Sequence, residues 1–176
     1  MRKDAPGFTL VECAIVLALL AVLLGLALPE LNGLLQRQRT TAAMHLVGTQ
    51  LAQARTTAIT RRQPVTLCPS LGDGRCHDRP DWSSGWLLYV DPKRRDQPLG
   101  PTDILADVRQ PLPASIQVLS SAGRRRVRYQ ADGRAAGANL TLRICQNSVL
   151  GGEIIVNNIG RIRSRRPQAG TPCPAT

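Results

Sequence analysis

Aromatic residues are scarce in this 176-residue chain, which has one Phe, two Trp and two Tyr. Phe8, Trp82, Trp86, Tyr89 and Tyr129 are too few and too scattered for the stacking platforms that single-strand nucleic-acid binders use. Histidine is also rare: His45 and His77 are the only two, 32 positions apart. No carboxylate cluster accompanies His45, so it reads as a helix-surface or packing residue. No GxSxG, Walker loop, zinc-binding helix or CxxC motif occurs. With no catalytic constellation and no cofactor or metal set legible, an enzyme is not expected. No internal repeat is evident.

Charge is plentiful but uneven. The net charge is +11, with Lys3 and Lys93 the only lysines among 23 basic residues. Residues 1–63 carry +4, residues 64–110 carry −1 and residues 111–176 carry +8. Basic charge gathered in the last third suits an anionic partner, and arginine favours bidentate phosphate contacts.

Long apolar runs are absent except at the start. Cys13 to Leu28 contains no charge, and Glu12 is the only charge from Phe8 to Leu28. As a helix those residues are about 31 Å long, close to the hydrocarbon core of a bilayer. The sequence therefore predicts one membrane span, with Arg2 and Lys3 holding a short cytoplasmic N-terminus and the rest exported. A secretory signal is the competing reading. A helix-forming segment follows without a break, however, and a carboxylate inside an apolar span is costly enough to need a reason.

From Glu30 to about Arg62 the pattern stays helical. Leu31, Leu35, Ala42, Leu46, Leu51, Ala54 and Ala58 form the expected apolar stripe, with Arg37, Arg39, Gln50, Gln53 and Arg55 on the other face. Gln63-Pro64 ends it. Short β-prone runs then follow: 65–68, 85–90, 104–108, 115–119, 126–130, 139–145 and 153–158, with 159–163 continuing the last. Ala131-Asp132-Gly133 is a hairpin signal.

Cys68, Cys76, Cys145 and Cys173 form an even set in the segment expected to be exported, where disulfides persist. Three pairings are open; the favoured one is Cys68–Cys76 as a local loop and Cys145–Cys173 as a tail clasp. Zinc is disfavoured, because only His77 adjoins a cysteine.

Gly7-Phe8-Thr9-Leu10-Val11-Glu12, followed by an apolar helix, resembles the class III signal of type IV prepilins and type II secretion pseudopilins. The resemblance implies cleavage by a prepilin peptidase after Gly7, methylation of Phe8 as the mature N-terminus, and pairing of Glu12 with a neighbouring subunit's terminal amine during assembly. Cys13 replaces the usual aliphatic residue and packs as a small hydrophobe. The later text, 129–134, 140–145 and 154–163, is similar to the GspH/FimT branch of the pilin family. That branch implies an α+β, type IV pilin-like fold, one long helix packed on a C-terminal antiparallel β domain. The expected organisation is a leader at 1–7, a transmembrane half-helix at 8–28, its amphipathic continuation at 29–63, and an exported β domain at 64–176. The implied setting is the inner membrane and then a pilus, with other pilins as partners.

Gly160-Arg161-Ile162-Arg163-Ser164-Arg165-Arg166 places four arginines within six positions. In a strand, Arg161, Arg163 and Arg165 would share one face at about 6.6–7 Å intervals. The GRxR text resembles the DNA-binding motif of FimT minor pilins, which implies that Gly160, Arg161 and Arg163 contact DNA in natural transformation. Arg165 and Arg166 are added on charge alone, as no acid adjoins them in sequence. A second run, Arg124, Arg125, Arg126 and Arg128, with Arg134 and Arg143, extends the candidate surface or is merely solvated; the sequence does not say which. Binding to double-stranded DNA would be phosphate-directed and sequence-tolerant, with a salt slope near about −3 to −4 for three or four phosphates. The other reading is a GspH-like pseudopilin or priming minor pilin with a structural role.

Overall fold

Thr9 and Glu12 begin the first element by a reciprocal cap. The Glu12 carboxylate accepts from the Thr9 backbone N–H and hydroxyl, both at 2.9 Å, while the Glu12 N–H donates to the Thr9 hydroxyl at 3.2 Å. This is the capping-box spacing, and it satisfies donors that a helix start leaves open. Helix α1 (Leu10–Arg61) follows. It ends where Arg62 turns left-handed (φ 52°) and Gln63 donates to Ala58, just before Pro64.

The computed structural model describes residues 9–174, and of 26–30 only the backbone. Gly7 and Phe8 lie outside the described residues. Among the described residues no helix is long and apolar enough to cross a membrane. The run expected at 8–28 is described in full only from Thr9 to Gly25. Within it, large apolar side chains from Leu10 to Leu24 are exposed.

The chain divides into two compact units, one ending at Arg37 and one running Gln38–Thr176. In the second unit the buried stripe of α1 is Thr40, Ala43, Val47, Leu51, Ala54 and Ala58. This corrects the expected stripe: Ala42 is exposed, Leu46 is half-buried, and Leu31 and Leu35 are exposed. Both registers keep spacings of three and four, so the apolar pattern alone does not separate them.

Eight strands follow among the described residues: β1 (Val65–Pro69), β2 (Gly85–Val90), β3 (Ile104–Arg109), β4 (Ile116–Ser120), β5 (Val127–Tyr129), β6 (Leu140–Gln146), β7 (Val149–Val156) and β8 (Ile162–Arg165). They form two four-stranded antiparallel sheets, ordered β3-β2-β1-β5 and β4-β6-β7-β8. The α1 stripe and the inner faces of both sheets, including Trp86, Val118, Tyr129, Leu142 and Ile154, make one core. β1 and β2 are buried on both faces. Cys68, Cys76, Leu87, Tyr89 and Ile104 form a second cluster there. The Cys68–Cys76 and Cys145–Cys173 bonds are both formed, as expected.

The text at 159–163 does not continue β7. A tight turn intervenes, with Gly160 N–H on Asn157 O at 2.9 Å and Arg161 N–H on the Asn157 side chain at 2.8 Å. β8 then folds back antiparallel on β7 and forms an edge of its sheet.

Candidate nucleic-acid interface

Gly160 is held in its turn by sterics. Its φ is +79°, and a Cβ there would strike the carbonyl oxygen of Gly133 in the β5–β6 turn. Only glycine meets both demands at low cost. Gly133 itself has φ +80° and lies against Ile59 and Arg55. Arg55 reaches out from α1, its Nε donating to Gly133 O at 3.0 Å and its Nη2 to Ile159 O at 3.4 Å. The backbone N–H of Ala135 adds a bond to Asn158 O at 3.0 Å. The two turns are thus fastened together. Arg55, expected on the polar face of the helix, has a structural role that a sequence reading missed. The ADG signal marked one turn but could not show what it touches.

Arg161 leaves that turn exposed, before β8 begins. Arg163 and Arg165 lie in β8, so the expectation of three arginines on one strand face is corrected to two. Cross-strand register decides what each of those two meets. Arg163 lies opposite Ile155, which lies opposite Thr141, so its row contains no other charge. Arg165 lies opposite Glu153, which lies opposite Arg143. Glu153 is only 6% exposed, and it accepts two bonds from Arg165 at 2.9 and 2.5 Å and an ion pair from Arg143 at 3.5 Å. The tail therefore does have an acidic partner, because pairing across the sheet brings in a residue 12 positions away. Arg166 donates to the Thr41 hydroxyl at 3.0 Å. Arg134, Arg161 and Arg163 have exposed side chains without an acidic partner among the described residues.

The second basic run is mostly occupied. The Arg124 side chain is folded inward onto the carbonyls of Ala136, Ala138 and Arg126, and burial pushes its guanidinium below the usual arginine range. Arg125 pairs with Asp78 at 2.7 Å, and Arg126 with Asp96 at 2.6 Å and Asp78 at 3.8 Å. Arg128 meets the buried Asp91 at 2.5 Å. These arginines clasp the acid-rich middle third of the chain to β5.

Trp82, Trp86, Tyr89 and Tyr129 are all core residues, so none offers a stacking face. Burial raises the phenols of Tyr129 and Tyr89 above their ordinary range, and Asp91 adds to the rise at Tyr89. Among the described residues no group of three or more His, Cys, Asp or Glu is placed to hold a metal.

Among the described residues, one long α-helix followed by two antiparallel sheets is a type IV pilin-like fold. Residues 2–28 match the prokaryotic N-terminal methylation motif, and residues 43–160, two thirds of the chain, match the family described as Type II transport protein GspH. The chain belongs to the GspH family. The fold is that of the type IV minor pilin FimU of Pseudomonas aeruginosa. One crystal form superposes with a TM-score of 0.59 at 19% identity, covering 75% of this chain and 95% of FimU. A second gives 0.52 at 19% identity, covering 73% and 97%. The minor pseudopilin EpsH from the Type 2 Secretion System of Vibrio cholerae gives 0.49 at 12% identity, covering 74% and 98%. No curated protein matches significantly. The methylation motif implies inner-membrane anchoring and incorporation into a pilus alongside other pilins. Arg161 to Arg166 lie just beyond the GspH match.

Proposed function

We propose that this chain is a FimT-like minor pilin that binds extracellular double-stranded DNA without sequence preference and supports DNA uptake in natural transformation. A prepilin peptidase cleaves it after Gly7, leaving a methylated Phe8. Residues 8–28 cross the inner membrane once before assembly, and Glu12 receives the terminal amine of a neighbouring pilin. Arg161 and Arg163 carry the DNA contact, Gly160 shapes the turn that presents them, and Arg166 assists. Arg165 contributes least, being committed to Glu153.

One observation carries the reading. In the basic last third, where most arginines are already held by carboxylates or carbonyls, Arg161 and Arg163 remain exposed and free of acids among the described residues. Cations held without a carboxylate partner are available to phosphate, and their backbone is fixed before DNA arrives. The mature full-length protein in detergent should shift a random-sequence duplex in a mobility assay. Arg161→Gln/Arg163→Gln should weaken the shift at least tenfold on every sequence, on the order expected for two phosphate contacts. A double variant that binds as well as the parent contradicts the proposal.

A structural or priming role without DNA binding is the alternative. It is favoured by the GspH match, which ends before the arginines. Absence of any duplex shift by the parent selects it.

A further inference from the structure

Residue 134 sits between two fastenings. Gly133 on one side abuts Gly160, and Ala135 on the other bonds Asn158 at 3.0 Å. The backbone of Arg134 therefore runs alongside the turn that delivers Arg161, within about one inter-strand spacing of it. Its own backbone is fixed too: Gln130 N–H donates to Arg134 O at 2.8 Å, and Arg134 N–H donates to the Asp132 carboxylate at 2.9 Å. The Arg134 side chain is exposed and has no acidic partner among the described residues. Asp132 is the carboxylate of this turn, and it too is exposed.

From this we infer that Arg134 is a third phosphate contact of the DNA site, and that the β5–β6 and β7–β8 turns act as one clamp with Asp132 as a built-in brake. The inference rests on the DNA-binding reading and extends it to a residue 27 positions before Arg161. Of the six arginines outside the tail that the sequence offered, the structure leaves Arg134 for this role. Arg124 is folded onto carbonyls, and Arg125, Arg126, Arg128 and Arg143 face carboxylates. Because Arg55, Gly133 and Gly160 fix the two turns relative to each other, Arg134 and Arg161 meet a duplex with little left to order.

The test uses the mature full-length protein in detergent, a random-sequence duplex and fluorescence anisotropy at several salt concentrations. Arg134→Gln should weaken binding roughly three- to tenfold near physiological salt and reduce the magnitude of the salt slope by about 1. Asp132→Asn, which keeps an oxygen for the Arg134 N–H, should tighten binding. Asp81→Asn removes one equal charge beside β4, the opposite edge of the sheet from β8, and should change binding less. Thermal unfolding of each variant confirms that it is folded. If the parent binds and Arg161→Gln weakens it while Arg134→Gln and Asp132→Asn leave affinity and slope unchanged, the clamp is refuted and the DNA reading stands. If the parent does not bind duplex at all, both fall.

Discussion

At Gly160 a backbone requirement and a binding motif coincide. An added methyl group meets the Gly133 carbonyl, and the left-handed φ penalises any side chain. Gly160→Ala should lower unfolding free energy by about 2 kcal/mol or more in a denaturant titration, without removing any charge. An unchanged midpoint would mean that the two turns are not packed as described. Tyr129 and Tyr89 supply a second residue-scale expectation. Both phenols are raised by burial, so the folded state holds their protons more tightly than the unfolded chain does. Below about pH 10 both states are protonated, and stability is independent of these groups. Above it the unfolded chain releases protons first. Stability should then fall by up to about 1.4 kcal/mol per pH unit per tyrosine until the folded phenols titrate. Tyr129→Phe should flatten the loss seen in melts between about pH 9 and 11. An identical alkaline profile for the variant would contradict the burial argument.

Between elements, β8 is held by register and by charge. Glu153 joins β6, β7 and β8 through Arg143 and Arg165. Glu153→Gln should destabilise the fold by about 1–2 kcal/mol, since one partner is half-buried and the other exposed. The same change frees Arg165 and should tighten duplex binding. Stability and affinity moving in opposite directions is the signature to look for; a loss of both would mean that Arg165 needs Glu153 to be useful. Farther along, Cys173 N–H bonds Ser148 O at 2.8 Å and Leu150 N–H bonds Thr171 O at 2.8 Å, so the tail pairs with the start of β7. The Cys145–Cys173 bond closes that loop of 28 residues, worth about 3–4 kcal/mol by chain entropy.

Across the whole molecule, most of the architecture was legible in the residues. The Pro64 break, the alternation in β6 and the cysteine spacing gave the helix end, a strand face and both disulfides. The turn at Asn157–Gly160 was not, because the apolar Ile159 within it resembles strand text. Nor was the α1 register, since alanines satisfy helical spacing from either side of the stripe. The charge partners were the least legible. Arg125 and Asp78 are 47 positions apart and Arg128 and Asp91 are 37, and only the folded sheets bring them together. Of two basic runs that look alike as text, the first is therefore a structural clasp, while the second ties Arg165 to Glu153 and leaves Arg161 and Arg163 as cations free of acids among the described residues.

The most direct test of DNA capture by those free cations is the salt dependence of duplex affinity for the mature full-length protein. With Arg134, Arg161 and Arg163 each engaging a phosphate, log K against log salt should be linear with a slope near about −3 and the same for unrelated sequences. A slope near zero, or one that changes with sequence, would contradict the account.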